Sequence, residues 1–280
     1  MHIFDKISDL QAFLSSQKQL NQTVGFVPTM GALHDGHGSL VRRAKAENNL
    51  VVVSIFVNPT QFNNASDLKH YPRSIEADTI LLEKLNCDVV FIPEVDEIYD
   101  PSFHLPPIDL GQIDKVMEGE HRPGHFQGVV QVVYRLFQLV APHKAYFGLK
   151  DFQQVAVIRF MTNFFQLPVE IIAVPTLRHA DGLAMSSRNL RLSPAQRTDA
   201  LAISKTLLHA KETAATHSPT QTKEEAISFF EKFPLTLEYF EIVDPITLES
   251  LHDRWVPNAV ACIVAYCGEI RLIDNMELKN

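Results

Sequence analysis

The chain lacks the features that would assign it to a membrane or to nucleic acid. Its longest apolar runs, VVVSIFV (51–57) and AVACIVAYC (259–267), fall well short of the roughly 20 residues that span a bilayer. Positive charge is scarce, because 25 lysines and arginines stand against 33 aspartates and glutamates, for a formal net charge of −8. Non-specific binding to nucleic acid or to an anionic membrane needs a basic face. We therefore expect no membrane and no nucleic-acid partner.

Cysteine is also scarce, with Cys87, Cys262 and Cys267 the only three in 280 residues. Three thiols cannot all pair within the chain, and each lies in or beside an apolar segment, which is typical of buried, reduced cysteines. Acidic residues interrupt the first residues, MHIFDKISDL, before any apolar core develops, so we expect no signal peptide. These features favour a soluble protein of the cytoplasm.

Short apolar runs alternate with helical patterns as far as Pro175. The predicted strands are VGFVP (24–28), LVVVSIFV (50–57), DVVFIP (88–93), KAYFG (144–148) and VEIIAVP (169–175). The predicted helices cover 39–48, 74–86, 126–140 and 151–165. Consecutive β-branched residues indicate strands of a parallel sheet that is covered on both faces. The pattern predicts an α/β fold with a doubly wound parallel sheet, whose ligands bind beyond the carboxyl ends of the strands.

The pattern changes after Pro175. A polar loop, TLRHADGLAMSSRN, precedes a helical stretch at 194–214, and the polar residues from 213 onward suggest a surface connection. A strand at 235–244 and a hairpin at 259–275 follow, and Cys267-Gly268-Glu269 stands where that hairpin turns. We predict two domains, at residues 1–176 and 177–280, the second a smaller α+β domain that acts as a lid.

The stretch VPTMGALHDGHGSL (27–40) holds two histidines, His34 and His37, in a glycine-rich turn between a strand and a helix. Two histidines three apart would suit zinc, but zinc needs three or four protein ligands, and no cysteine cluster or HExxH pattern supplies the others. A phosphate requires less, because the turn and the helix dipole direct N–H groups at one point. The stretch is neither a Walker A loop nor GxGxxG. The sequence favours a phosphate site, with zinc or a packing role as alternatives, and assigns no metal ligand.

Polar residues follow two further predicted strands. NPTQF places Asn58 and Gln61 after the second strand, where side-chain amides can bind hydroxyl and carboxylate groups. FGLKDFQQ places Lys150 within reach of a phosphate, Asp151 at a helix cap and Gln154 one turn later. The alternative for each is an ordinary polar residue at the end of a strand.

The loop after Pro175 and a glycine-containing stretch before it complete the set. In MSSRN, the hydroxyls of Ser186 and Ser187 and the guanidinium of Arg188 could form a mobile phosphate clamp. The alternative is a solvated loop. The stretch MEGEHRPGHFQGV (117–129) predicts a non-helical turn, either an ordered surface loop or part of a subunit contact.

These motifs, in this order, resemble those of the pantoate–β-alanine ligases. The matching stretches are PTMGALHDGH, SIFVNPTQF, YPRS, EGEHRPGHFQGV, KDFQQ, DGLAMSSRN and RLIDN, from residue 28 to 275. The resemblance implies a Rossmann-like nucleotidyltransferase domain and a homodimer. It also implies two reaction steps: the pantoate carboxylate attacks the α-phosphate of ATP, releasing pyrophosphate, and the β-alanine amine then attacks the acyl carbon, releasing AMP. Mg²⁺ accompanies the ATP, whose phosphates supply most of its ligands.

The resemblance also implies which residues act. It assigns catalysis at the phosphates to His37, His34, Lys150 and Arg188. The implied ATP contacts are Met30, Gly31, Ala32, Leu33, His34, Asp35, Gly36, His37, Gly148, Leu149, Lys150, Asp151, Leu177, Met185, Ser186, Ser187 and Arg188. The implied substrate contacts are Gln61, Gln154 and Asn58. Family convention names His37 the proton donor, but we interpret it as a hydrogen-bond donor to developing phosphate charge, since pyrophosphate needs little protonation to leave at neutral pH.

Two positions depart from the family pattern. Gly38 stands where a larger apolar residue is usual, and glycine inside a helix costs about 1 kcal/mol of stability. Leu149 replaces the usual acid of FGEKD. Three rival functions stay open: another nucleotidyltransferase that does not need both Gln61 and Gln154, a nucleotide sensor that binds ATP without turnover, and a zinc hydrolase, which would be sensitive to chelators.

Overall fold

The computed structural model describes residues 1–63 and 68–279. The chain forms two compact units. One unit consists of Met1–Gly148 and Gln154–Pro175, and the other of Leu149–Gln153 and Thr176–Asn280. In the described ranges no helix combines the length and the apolar character that a membrane crossing requires.

A parallel sheet forms the centre of the first unit. Its strands are β1 (His2–Phe4), β2 (Val24–Thr29), β3 (Leu50–Ile55), β4 (Val89–Phe91), β5 (Lys144–Gly148) and β6 (Glu170–Val174). Their order in the sheet is β1-β4-β3-β2-β5-β6, with parallel pairing throughout. The chain leaves β2 toward β3 on one side and reaches β5 on the other, so the strand order reverses between β2 and β5. Ligands of open α/β sheets bind at such a switch point, which here lies beside the glycine-rich turn after β2.

Helices cover both faces of this sheet. They are α1 (Ile7–Gln19), α2 (Asp35–Glu47), α3 (Ile75–Lys84), α4 (Val95–Ile98), α5 (Glu118–His121), α6 (His125–Val140) and α7 (Phe152–Phe164). Alternate strand residues point to opposite faces: Phe26 and Val52 pack with residues of α1, α6 and α7, whereas Val27 and Val53 pack with residues of α2 and α3. The doubly wound α/β sheet predicted from the sequence is confirmed.

The second unit combines a small sheet with helices. The strands β7 (Thr236–Val243), β8 (Val260–Cys267) and β9 (Ile270–Glu277) pair antiparallel in that order. The helices are α8 (Pro194–Asp199), α9 (Leu201–Thr213) and α10 (Pro219–Phe230), and α9 and α10 share an apolar core with the sheet. The predicted hairpin turn is confirmed, with Gly268 at φ +60° between β8 and β9. The predicted smaller α+β region is therefore present, and its role as a lid stays a prediction.

The structure differs from the predicted elements at four places. The sequence did not predict β1 and α1, because β1 is only three residues long and the apolar residues of α1 are few among polar ones. The helix predicted from residue 39 begins at Asp35, because His34 caps it. The stretch 194–214 forms two helices, which meet at Ala200. The predicted surface connection from residue 213 was wrong, since α10 lies within it.

Candidate active site

The two histidines lie where β2 passes into α2. Gly31 and Ala32 both adopt left-handed backbone conformations, at φ +80° and +49°. A Cβ on Gly31 would lie 3.0 Å from both Asp78 Oδ2 and Ile55 Cγ2, so glycine is required there on two counts. His34 then caps α2, and His37 stands in its first turn, with the ring centroids 4.2 Å apart. The structure thus brings the two imidazoles together at a helix N-terminus.

Each ring accepts a backbone hydrogen bond at Nδ1. His34 Nδ1 accepts from Gly36 N at 3.1 Å, and His37 Nδ1 accepts from His34 N at 3.3 Å. This is a reciprocal capping box built from two histidines instead of the usual serine and glutamate. Because Nδ1 is the acceptor in both rings, the hydrogen-bond network assigns the proton of each neutral imidazole to Nε2.

This tautomer bears on the phosphate and zinc hypotheses for the histidines. A neutral imidazole with its proton on Nε2 offers a hydrogen-bond donor there, whereas a metal needs an unprotonated nitrogen. In residues 1–63 and 68–279, no group of three or more histidine, cysteine or acidic side chains is placed to hold a metal ion. The geometry favours paired N–H donors at a helix N-terminus, which suits a phosphate.

A buried carboxylate that the sequence analysis missed supports this turn. Asp78 of α3 is 1% exposed. Its Oδ2 accepts from Ala32 N at 2.9 Å and its Oδ1 from Leu33 N at 2.7 Å, with Ser74 Oγ donating at 3.1 Å. The side chain therefore satisfies the N–H groups of a strained turn. One signal was available, since Asp78 precedes the buried Leu82 by four residues and so shares its helix face.

Asn58 and Gln61 lie in a 3₁₀ turn after β3, Pro59–Gln61. Asn58 is 1% exposed, and its Nδ2 donates to Gln61 Oε1 and to Gly128 O, both at 3.1 Å. Its Oδ1 accepts from Tyr99 OH at 2.7 Å and from Thr60 Oγ1 at 3.0 Å. An amide offers two N–H groups and two lone pairs, so these contacts fill the capacity of Asn58. Its contribution in this arrangement is to orient Gln61.

Gln61 is held at both its side chain and its backbone. Its Nε2 lies 3.1 Å from Met30 Sδ, which joins the NPTQF turn to the histidine turn. Its carbonyl oxygen accepts from His125 Nδ1 at 2.8 Å and from Arg122 Nη2 at 3.3 Å. Arg122 Nη1 also contacts His125 Nε2 at 3.3 Å and Glu118 Oε2 at 3.4 Å. The structure thus fixes the position and orientation of the Gln61 amide.

The stretch 117–129 is therefore not the non-helical surface loop that the sequence suggested. Glu118–His121 forms a helical turn, and α6 begins at His125. Glu118 and His125 are buried. The non-helical surface loop was wrong because these polar residues bond to one another and to Gln61, which satisfies them away from water. The alternative of a subunit contact stays a prediction.

Lys150 lies in a second 3₁₀ turn, Leu149–Asp151. Its side chain is 15% exposed, and Nζ lies 3.6 Å from Asp151 Oδ1. The carbonyl oxygens of Leu149 and Lys150 both accept from Asn275 Nδ2 of β9, at 2.8 Å and 2.9 Å. The structure thereby fixes the backbone from which the Lys150 ammonium extends.

The loop that carries Met185 to Arg188 follows a small hairpin. Met185 N donates to Leu177 O at 3.0 Å, and Gly182 turns the chain at φ +94°. Ser186 Oγ then accepts from Arg188 N at 3.3 Å, which caps the 3₁₀ turn Ser187–Arg191. The hydroxyl of Ser186 thus has a structural role in this arrangement as a cap.

The last two predicted contacts are placed by helix and strand ends. Gly148 ends β5, and Gln154 stands half-buried in the first turn of α7. The first unit groups the histidine turn with Gln61, whereas the second groups the Leu149–Asp151 turn with the Leu177–Arg188 segment through β9. The roles of these residues toward ATP and pantoate stay predictions.

Comparisons with known proteins identify the family of the chain. The chain matches the family model of pantoate-beta-alanine ligase over residues 2–277. It is 48% identical over 283 residues to a pantothenate synthetase of Porphyromonas gingivalis, with 100% of both chains covered. The crystal structure of a pantothenate synthetase from Thermus thermophilus matches with a TM-score of 0.94 and 42% identity over 100% of both chains. A Francisella tularensis pantoate–β-alanine ligase, crystallised with beta-gamma ATP and β-alanine, matches with a TM-score of 0.84 and 36% identity, covering 99% and 98%. The chain belongs to the pantoate–β-alanine ligase family.

Proposed function

We propose that the chain joins pantoate to β-alanine through a pantoyl adenylate, consuming ATP and releasing AMP and pyrophosphate. The observation that carries the proposal is the extent of the family match, since residues 2–277 include every site residue named above. The ligands of the Francisella tularensis relative, an ATP compound and β-alanine, are two of the three substrates that this reaction needs.

The first step brings a carboxylate to a polyphosphate, so it depends on positioning and on charge stabilisation. A pantoate carboxylate oxygen forms a bond to the α-phosphorus, and the bond from that phosphorus to the bridging oxygen breaks, leaving pyrophosphate. His34 and His37 donate from Nε2 to phosphate oxygens as negative charge moves onto the leaving group. The Nδ1 caps support this role, because they hold both rings in the tautomer that carries its proton on Nε2.

The remaining roles divide by chemistry. Lys150 and Arg188 supply positive charge to the phosphates, with the hydroxyls of Ser186 and Ser187 beside them. The nucleotide further contacts Gly148, Asp151, Leu177 and Met185. Gln61 and Gln154 hold the hydroxyl and carboxylate groups of pantoate, and Asn58 orients Gln61.

In the second step the β-alanine amine attacks the acyl carbon of the adenylate. The bond from that carbon to the phosphate oxygen breaks, AMP leaves, and the amine loses a proton to give the amide. Gln61 also lies near β-alanine in this proposal. Its amide suits that position, because Asn58 orients the side chain and His125 holds the backbone carbonyl.

Mg²⁺ enters this reaction as part of the Mg–ATP substrate. Phosphate oxygens and water supply most of its ligands in this proposal. We further propose a cytoplasmic homodimer. Three buried cysteines without a disulfide suit a reducing compartment, and sedimentation of the purified chain measures the oligomeric state.

The test is to incubate the purified chain with ATP, Mg²⁺ and pantoate, with and without β-alanine, and to follow the products by mass spectrometry. We expect AMP and pantothenate in equal amounts, only when all substrates are present. Pyrophosphate with pantoyl adenylate should accumulate when β-alanine is omitted. Binding of ATP without turnover would support the nucleotide sensor instead.

A further inference from the structure

The RLIDN motif of β9 has no role in the reaction described above, yet it contacts two segments that do. Asn275 donates through Nδ2 to Leu149 O at 2.8 Å and to Lys150 O at 2.9 Å. Both hydrogens of one side-chain amide are thus spent on the backbone that carries Lys150. Asn275 lies 126 and 125 positions from these two residues, so the contact is a tertiary contact and not part of a local turn.

Asp274, the preceding residue of the motif, contacts the second segment through Arg178. Asp274 accepts from Arg178 Nη1 at 2.6 Å and from Arg178 Nη2 at 3.0 Å, a two-point pair. The same guanidinium donates to Gly182 O and to Asn275 O, each at 3.1 Å. Arg178 therefore fixes the hairpin from which Met185 and the following serines continue.

A buried ion pair of this kind contributes little net free energy to folding, because both charges lose their contacts with water. The Asp274 side chain is 1% exposed and that of Arg178 is 25% exposed. Burial raises the pKa of the Asp274 carboxyl, while hydrogen bonds and charge from Arg178 and the nearby charge of Lys150 oppose that shift. Replacing a buried ion pair by apolar residues is often neutral or stabilising. The pair is better explained by the geometry that it imposes.

We propose that Asp274 and Asn275 are positioning residues for the first step, which set the Lys150 backbone and the Ser186–Arg188 loop in register with each other. This inference rests on the proposed function. Lysine has a long, flexible side chain, so the reach of its ammonium is determined by where its backbone is held. The Asn275 amide holds that backbone directly, and Asp274 holds the loop through Arg178.

The test separates the two steps of the reaction. Pantoate-dependent exchange of labelled pyrophosphate into ATP reports the first step, and synthesis from added pantoyl adenylate and β-alanine reports the second. Because the second step involves no pyrophosphate, it should depend little on Lys150 and Arg188. We expect Asn275→Ala to lower the exchange rate by about 100-fold, on the scale of a misplaced reacting group, and to leave the second step near its unaltered rate.

A matched control lies on the same strand. Arg271 of β9 pairs with Glu238 of β7, Nε to Oε2 at 3.0 Å, which is also a largely buried guanidinium–carboxylate pair. Glu238→Gln should leave both steps unaltered, although it lowers the melting temperature. Asp274→Asn should follow Asn275→Ala, and if it fails to fold, Asn275→Ala decides alone.

Three outcomes would overturn the inference: exchange unchanged in Asn275→Ala, both steps lowered equally in it, or Glu238→Gln reproducing its pattern. Failure of the proposed function is distinguishable, because the unaltered chain would then show no pantoate-dependent exchange at all.

Discussion

Replacing His37 by alanine removes two interactions of one ring, the Nδ1 cap on His34 N and the Nε2 donor. We expect the adenylation rate to fall by at least about 100-fold, the scale of losing one preorganised transition-state donor. Pantoate-dependent pyrophosphate exchange measures this rate. Near-normal exchange would remove His37 from the mechanism.

His143 offers the matched control for that variant. Its Nδ1 also accepts from a backbone N–H, that of Val24 at 3.0 Å, but at the amino end of β2. His143→Ala should therefore reduce stability by the loss of a comparable bond while exchange continues at its normal rate. A joint fall in exchange would show that loss of a cap alone explains the His37 result.

Gln61→Ala should weaken pantoate more than ATP. The amide of Gln61 is oriented by Asn58 and by the carbonyl contacts of its own backbone, so its loss removes a group that is already positioned for hydroxyls and carboxylates. Titrations of each substrate in the exchange assay measure the two effects separately. Gln221→Ala, which removes the capping glutamine of α10, is the control, and an unchanged pantoate titration in Gln61→Ala would contradict the assignment.

Some of the site residues could be predicted from the sequence, and others could not. The histidines and amides were predicted because they follow strands or stand among glycines. Asp78 and Asp274 were missed, since an isolated acid in a helix or strand pattern is normally a solvated residue. Only the tertiary structure shows that backbone N–H groups and a guanidinium surround them.

At the scale of helices, two glycines give opposite predictions for how a change to alanine alters the stability of the chain. Gly38 lies inside α2, where the nearest neighbours of a Cβ would be side-chain atoms of Arg42 and Leu85, at 3.4 Å. Gly128 lies inside α6, where a Cβ would stand 2.5 Å from Thr60 O. Gly38→Ala should stabilise the chain by about 1 kcal/mol, whereas Gly128→Ala should destabilise it by about 1–3 kcal/mol through overpacking. Urea unfolding of both variants measures the difference, and equal signs would refute the packing argument.

The elements that the sequence predicted well share a strong apolar signal. The strands β2, β3 and β5 are buried on both faces, so their composition alone marks them. Helix α10 was missed because its residues are mostly polar, although Ser218, Pro219 and Gln221 form a helix-start signature. For α2, glycines at positions 36 and 38 hid a helix start that the His34 cap supplies.

Across the first unit, Glu47 joins the end of α2 to β5. Hydrogen bonds from Arg43, Tyr146 and Lys144 lower the pKa of Glu47 to about 2 from its ordinary value of 4.5. Because the folded-state pKa is depressed, the stabilisation is present above pH 4.5 and is lost as the pH falls toward 2. The urea midpoint of Glu47→Gln should therefore lie below that of the unaltered chain at pH 7 and approach it at pH 2. A difference that does not change with pH would contradict this assignment.

The cysteines of both units should be inert in the folded protein. Burial raises the pKa of the Cys87 thiol to about 12, and it also raises the pKa of Cys267. Cys262 is buried as well. Since the thiolate is the reactive form, a thiol reagent at pH 8 should label none of the three before denaturation and all three after it. Rapid labelling of the native chain would show that these sites open readily.

For the whole molecule, the family assignment from seven short motifs is confirmed by matches over the full chain. The order of the motifs carried that assignment, since each alone is only moderately specific. Sequence could not supply the contacts between motifs, because they join residues that are far apart in the chain. Met30 with Gln61 and Lys150 with Asn275 are such contacts.

The two capping histidines limit which substitutions this turn can tolerate. A replacement of His34 must supply an acceptor for the Gly36 N–H and, for the proposed reaction, a hydrogen-bond donor to phosphate. Serine or aspartate would preserve the helix start but give up the second group, and lysine would do the reverse. Under the proposed reaction, substitution of His34 is therefore limited both by the helix cap and by the contact with phosphate.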